Sequence, residues 1–299
     1  APGAKGGGAA TTPSPTPLAY ARHDRTPLSC RQALSRAEER FARSSDTPRL
    51  DAELLMAHAL GIERESLLLA RLDDDAPEAF ASLLRRREAG EPVAYITGRR
   101  AFWTIELEVA PGVLIPRPDS ETLIEAAVGH FGKAGPATVL DLGTGPGTLL
   151  LAALDQWPEA RGFGIDRSEK ALALACRNAE CLGLAARTRF RRGDWDEGVE
   201  ERFDLILCNP PYVEAEAVLP RDVAEWESHE ALFAGPEGLD AYRRLAPAMK
   251  NLLTSAGIAC VEIGADQAPA VSALFEAEGL KVSLRRDLGG RPRCLVLAH

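Results

Sequence analysis

The stretch ATVLDLGTGPGTLLLAALDQWPEARGFGID, residues 137–166, decides how this chain is organised. A short apolar run ends in Asp141, three glycines follow at alternate positions, and an apolar helical segment leads to a second run ending in Asp166. Such a succession of strand, tight turn, helix and strand is a βαβ unit. Glycines at the turn let the backbone reverse sharply and let a ligand approach it closely. Dinucleotide binding prefers G-x-G-x-x-G, but the position needed as glycine holds Thr148. The pattern present is D-x-G-x-G-x-G, through Asp141, Gly143, Gly145 and Gly147, with Thr144 and Pro146 between.

The alternation continues outward. Apolar runs at 137–142, 161–166, 203–208 and 256–263 are separated by helical segments near 147–157, 168–182 and 239–253. TRFRRGDWDEG, residues 188–198, supplies a further strand. This pattern implies a parallel sheet with helices on both faces. The last two runs, 280–285 and 292–297, are joined by DLGGRP, too short for a crossover helix, so the final strand should run antiparallel to its neighbour.

Upstream the period changes. Ser29 and Gln32 form a capping-box pattern ahead of Leu34, Ala37 and Phe41. A second helix over 49–60 carries Leu50, Leu54 and Ala57 on one stripe and stops at Gly61. A third carries Phe80, Leu83 and Leu84 and ends in Arg85-Arg86-Arg87, read as a solvated helix end. Ile105, Leu107 and Val109 alternate with Glu106 and Glu108, and Pro111-Gly112 precedes Val113-Leu114-Ile115, which predicts a β-hairpin turning at Pro111-Gly112. The divisions are therefore a Gly/Ala/Pro/Thr-rich disordered tail over 1–28, a small all-α domain over 29–90, a linker with a hairpin over 91–118, and an α/β domain over 119–299.

Composition narrows the function classes. A charge of −9 over 299 residues argues against a general phosphate-gripping surface. No apolar stretch reaches the roughly 20 residues of a membrane helix, and the tail lacks the apolar core of a signal peptide. The six cysteines show no CxxC pair and no metal-ligand spacing, which fits reduced thiols in a cytoplasmic protein with no metal site.

The carboxyl edge of the sheet gathers the chemistry. Asp166 stands where a carboxylate can accept both ribose hydroxyls of a nucleoside; capping of the following helix is the alternative. The third strand ends in Gly193-Asp194-Trp195, where Asp194 could accept from an exocyclic amine and Trp195 cover a ring face. The fourth strand, FDLILC, delivers Asn209-Pro210-Pro211-Tyr212. The Asn209 amide oxygen and the Pro210 carbonyl are two acceptors held rigidly by fixed proline φ angles, matching the two hydrogens of a planar NH₂ group. Tyr212 adds a flat face on which a planar amide or base can stack. An amide nitrogen is a weak nucleophile because its lone pair is delocalised. Acceptors on both N–H bonds free the lone-pair direction and stabilise the positive charge that develops. Adenine, guanine and glutamine all fit this motif.

The glycine loop resembles motif I of class I S-adenosylmethionine-dependent methyltransferases. With it, EPVAYITGRRAFWTIELEVAPGVLIPRPDSETLIEAA (residues 91–127), GDW and NPPY closely resemble the peptide-chain-release-factor glutamine N5-methyltransferases, the PrmC/HemK family, from about residue 30 onward. The IPRPDSE segment separates that group from the ribosomal-protein L3 glutamine methyltransferases. The resemblance implies a Rossmann-like seven-stranded sheet and S-adenosylmethionine as donor. It also implies the Gly-Gly-Gln glutamine of class 1 release factors as substrate, with neither nucleic acid nor membrane as partner. It assigns Asp141 and Gly143–Gly147 with Asp166, Asp194 and Trp195 to the cofactor. Asn209, Pro210, Pro211 and Tyr212 go to the glutamine, with Asn209 also near the cofactor and Phe102 as a second wall of the glutamine pocket. The helical domain would dock the release factor, with Arg85–Arg87, Arg99 and Arg100 on that surface. Pro146, Ser228 and Pro292 depart from the family's pattern. Methylation of another protein glutamine or of a nucleic-acid amine is the alternative reading, and a catalytically silent cofactor-binding module is a third.

Overall fold

A computed structural model describes residues 27–299, so most of the tail expected over 1–28 lies outside the described residues. Five helices come first: α1 (Cys30–Phe41), α2 (Pro48–Leu60), α3 (Arg64–Ala70), α4 (Glu78–Glu88) and α5 (Val93–Thr97). Ser29 caps α1 through the reciprocal bonds of a capping box with Gln32, and Gly61 ends α2 in the left-handed conformation. Leu34, Phe41, Leu55, Met56, Leu67, Phe80 and Leu84 bury one another between these helices.

Two details differ from the sequence reading. The buried face of α2 holds Asp51, Ala52, Glu53, Leu55 and Met56, while Leu50 is exposed. The two carboxylates turn inward because arginines meet them: Arg87 pairs with Asp51 at 2.9 Å, and Arg49 and Arg64 pair with Glu53 at 2.6 and 2.7 Å. For the same reason Arg87 is buried rather than solvated, and only the first two arginines of the triplet lie on the surface.

The hairpin pairs β1 (Arg99–Phe102) with β2 (Ile105–Glu108), so the reversal falls at Trp103-Thr104, not at Pro111-Gly112. Trp103 takes φ +54°, its backbone N–H donates to Glu121 and its indole to Gln156, which fastens the tip to the helices beneath. Residues 113–115 form no strand and have no hairpin partner, and their polar groups bond elsewhere. The Tyr95 hydroxyl donates to Val113 O at 2.7 Å, and Ile115 N–H donates to Glu227 at 3.2 Å.

The rest is one seven-stranded sheet in the order β5-β4-β3-β6-β7-β9-β8. Its strands are β3 (Thr138–Leu142), β4 (Arg161–Asp166), β5 (Thr188–Arg192), β6 (Phe203–Cys208), β7 (Leu253–Glu262), β8 (Lys281–Arg286) and β9 (Pro292–Ala298). All run parallel except β9, which lies antiparallel between β7 and β8. Alternate residues serve opposite faces. Val139, Leu205 and Leu207 face α6 (Glu121–Phe131) and α7 (Thr148–Gln156), whereas Leu140, Leu142, Ile206 and Cys208 face α11 (Asp240–Leu252) and α12 (Ala268–Ala277). Burial on both faces is what a parallel sheet requires. Helix α8 (Glu169–Cys181) connects β4 to β5, and two short helices, α9 (Arg221–Trp226) and α10 (His229–Leu232), follow the Asn-Pro-Pro-Tyr turn.

Candidate active site

The strand order reverses at β3, whose two neighbours are β4 and β6. Ligands bind outside the carboxyl ends of strands at such a switch point. A cleft of about 490 Å³ opens there, well within the size range of small-molecule sites. Asp141, Gly143, Thr144, Gly145, Pro146, Asp166, Asp194, Trp195, Asn209 and Pro211 all line it.

Asp141 is the penultimate residue of β3 and is almost fully buried. One carboxylate oxygen accepts from the Thr144 hydroxyl at 2.7 Å and from Leu150 N–H at 3.2 Å; the other has no partner. Burial pushes its pKa up to about 7, against the lowering effect of those two donors. Asp166 ends β4 and takes Gly145 N–H and Ser168 N–H, each at 2.8 Å. Ser168, not Asp166, caps α8. Two N–H donors occupy only part of a carboxylate's four acceptor positions, so Asp166 keeps capacity for hydroxyls in the cleft. Gly143 takes φ +73°, and a Cβ there would come within 3.3 Å of the Trp195 ring. Trp195 has φ +53°, a conformation that costs a bulky residue energy and is held by its surroundings.

Gly147, Pro210, Tyr212 and Phe102 do not line the cleft. Gly147 is the N-cap residue ahead of α7 at φ +88°, and a Cβ on it would meet Leu151 at 2.8 Å, so it serves packing. Phe102 is buried among Ile105, Leu107, Leu123 and Leu150. The short turn at Trp103-Thr104 directs its ring into the core, which is the reason it forms no pocket wall. Tyr212 aims its hydroxyl inward, donating to Glu262 at 3.1 Å.

Asn209 is the junction. It leaves β6 into the cleft, and its amide nitrogen donates to the Ser120 hydroxyl at 3.2 Å. That bond orients the amide and leaves Oδ1 as a free acceptor. The Pro210 carbonyl takes no hydrogen bond among the described residues. The turn is held from behind: Gln267 donates to the carbonyls of Tyr212 and Gly238, and Val213 and Ala215 bond to Leu232 and Gly235.

Sequence reasoning missed the second wall. Residues 112–120 run along the cleft, with Arg117 and Ser120 among its lining. Arg117 is paired with Glu227, which is buried and shifted upward by that burial although Arg117 lowers it. Glu262, the last residue of β7, is fully buried beneath Tyr212, and burial raises its pKa to about 7. A lone carboxylate closing the apolar run GIACVE was the available signal, since a buried titratable group at a carboxyl edge marks a functional site. Of the arginines expected to dock a partner, Arg100 is half-buried and donates to Pro116 O, while Arg86 and Arg99 pair with Glu91 and Glu106. The three departures sit quietly. The Pro146 carbonyl accepts from Asn178, Ser228 is the N-cap residue ahead of α10, and Pro292 opens β9 opposite Arg286.

Comparison with known proteins agrees with this geometry. The PrmC N-terminal domain pattern matches residues 32–98, and a methyltransferase domain pattern matches 135–278. The release factor glutamine methyltransferase of Cereibacter sphaeroides is 45% identical over 269 residues, 87% of this chain and 95% of that protein. The chain belongs to the release factor glutamine methyltransferase family. The Rhodospirillum rubrum member is 43% identical over 259 residues, 84% of this chain and 79% of its own. A methyltransferase from Pyrococcus furiosus, 18% identical, shares the fold at a TM-score of 0.51 over 73% of this chain and 96% of its own. Like its relatives in this family, the chain is a protein-glutamine methyltransferase, and its sheet is the seven-stranded methyltransferase sheet. Among the described residues no helix is long and apolar enough to cross a membrane.

Proposed function

We propose that this chain binds S-adenosylmethionine in the β3–β6 cleft and methylates the side-chain amide nitrogen of the glutamine in the Gly-Gly-Gln loop of class 1 release factors, in the cytoplasm. The observation that carries this reading is the orientation of Asn209. With Nδ2 donated to Ser120, the oxygen left in the cleft suits an NH₂ group and not an acceptor.

The residues fit the cofactor. Asp166 would accept the ribose hydroxyls, and Trp195 and Asp194 would flank the adenine. Gly143, Gly145 and the partnerless oxygen of Asp141 would face the methionine end, where a buried carboxylate complements positive charge. When bound, the cofactor supplies an electrophilic methyl group. Asn209 Oδ1 accepts one amide N–H, and the Pro210 carbonyl, set between the lining residues Asn209 and Pro211 and free of any hydrogen bond among the described residues, turns to accept the other, which holds the NH₂ plane and stabilises positive charge on nitrogen. Tyr212 backs the turn through its inward hydroxyl, and α1–α5 supply the surface that docks the release factor.

Methyl-labelled cofactor with a purified release factor, its Gln-to-Ala loop variant, duplex DNA and ribosomal RNA tests the proposal. Label is expected on the intact release factor alone; label on the loop variant or only on nucleic acid overturns it. Asn209→Ala should lower turnover about a hundred-fold while changing cofactor affinity only a few-fold.

A further inference from the structure

Glu262 has no place among the groups that touch cofactor or glutamine, yet it is a fully buried carboxyl group directly under them. Its Oε1 accepts the Tyr212 hydroxyl at 3.1 Å, the Ser120 hydroxyl stands beside the same carboxyl group, and Oε2 has no partner of hydrogen-bond geometry. Its own backbone is fixed, since Tyr242 donates to the Glu262 carbonyl at 2.9 Å. Ser120 in turn accepts from Asn209 Nδ2. The two ends of the Asn-Pro-Pro-Tyr turn therefore converge on one side chain from another strand. Tyr212 reaches it directly, and Asn209 reaches it through Ser120.

We propose that Glu262 is the positioning residue of this turn, acting through Ser120 to set the Asn209 amide and through Tyr212 to fix the far end. A fold needing only bulk here would fill the site with an apolar side chain. Burying a carboxyl group among apolar residues costs free energy that an apolar replacement would recover, so its retention calls for a task that bulk cannot perform. The two hydroxyls are the task in view. Without the carboxyl group the Ser120 hydroxyl is free to rotate, and the Asn209 amide loses its reason to present oxygen rather than nitrogen to the cleft.

The inference rests on the glutamine-methyltransferase reading, so its test carries a readout independent of turnover. The variants are Glu262→Leu, which keeps bulk and removes both acceptors, Glu262→Gln, which keeps an acceptor carbonyl, and Ser120→Ala. Steady-state methylation of a release factor is measured together with cofactor affinity and the side-chain NH₂ resonances of Asn209, assigned by their loss in Asn209→Asp. Glu262→Leu should lower kcat about ten- to hundred-fold, with KM and cofactor affinity held within about three-fold. Glu262→Gln should restore most of that loss, and Ser120→Ala should add little to Glu262→Leu. The Asn209 resonances should move in Glu262→Leu and Ser120→Ala alike. If they move while even the unaltered protein methylates no release factor, the positioning role stands and the substrate reading falls. If they stay in place in Glu262→Leu, or if Leu and Gln variants have equal kcat, the positioning role is overturned. Should Glu262→Leu not fold, Ser120→Ala alone decides: unmoved Asn209 resonances and unchanged kcat overturn it.

Discussion

Replacing Asp141 by Asn should stabilise the protein in alkaline solution while weakening the cofactor binding proposed for its cleft. Burial lifts this carboxyl group from 3.8 to about 7, which corresponds to about 4 kcal/mol of differential stability between its two protonation states. The sign follows from the raised value. The folded chain holds the proton more tightly than the unfolded one, so this contribution is fully present below the unfolded value and is lost as pH rises through about 7. About half of it, roughly 2 kcal/mol, disappears between pH 5.5 and pH 8. The carboxamide introduced by Asp141→Asn cannot ionise, and its carbonyl can still accept from Thr144 and Leu150. The advantage of Asp141→Asn over the parent should therefore grow by roughly 5 °C in Tm between those pH values, read by calorimetry without cofactor. Titration calorimetry should show cofactor affinity about ten-fold lower in the variant at pH 8. In the parent, affinity should rise with pH through about 7, because a cationic ligand prefers the ionised carboxylate. An advantage that is constant across pH, or that shrinks at pH 8, would refute the assignment of a high-pKa carboxyl group to the cleft floor.

Two further substitutions separate packing from binding. Gly147→Ala places a Cβ 2.8 Å from Leu151 at φ +88° and should cost about 1–3 kcal/mol in urea denaturation. Cofactor affinity should hold, since Gly147 lies outside the cleft. Arg87→Met strands Asp51 as an uncompensated buried charge and should cost about 3–5 kcal/mol. Adding Asp51→Leu should recover most of that in the same denaturation measurement.

Much of the catalytic sheet could be read from periodicity because its strands are buried on both faces and bounded by turns. The runs ending in Asp141, Asp166 and Cys208 have no competing helical pattern. The antiparallel final strand followed from the five residues between β8 and β9, which leave no room for a crossover. In the helical region the rule of apolar stripes failed at α2, where Asp51 and Glu53 face inward. Periodicity cannot foresee that Arg64 and Arg87, 11 and 36 positions away, will join Arg49 in neutralising them. The hairpin reversal was misplaced because Pro111-Gly112 is the stronger local turn signal. Tertiary bonds from Trp103 to Glu121 and Gln156 select the other. At the site, residues on one loop were legible because the chain itself brings them together. Ser120 and Glu262 lie 89 and 53 positions from Asn209, and only the sheet joins them. Phe102 shows the converse: the alternation that placed it on a strand could not say which side of the sheet it would serve.

The position of β9 has a consequence for how the chain is made. β8 is synthesised before β9, yet among the described residues its only sheet neighbour is β9, because β9 lies between it and β7. While residues 287–298 are still emerging, β7 shows an open edge with β8 tethered beyond it through α12. During that interval both strands present unpaired backbone to any other extended chain nearby. Joining them requires one antiparallel segment to pair on both sides. Arg293 is on that segment, and its bond to Asp119 at 3.0 Å ties the entering strand to the turn that carries Ser120. Closure of the sheet and completion of the wall behind Asn209 thus depend on the same segment of chain.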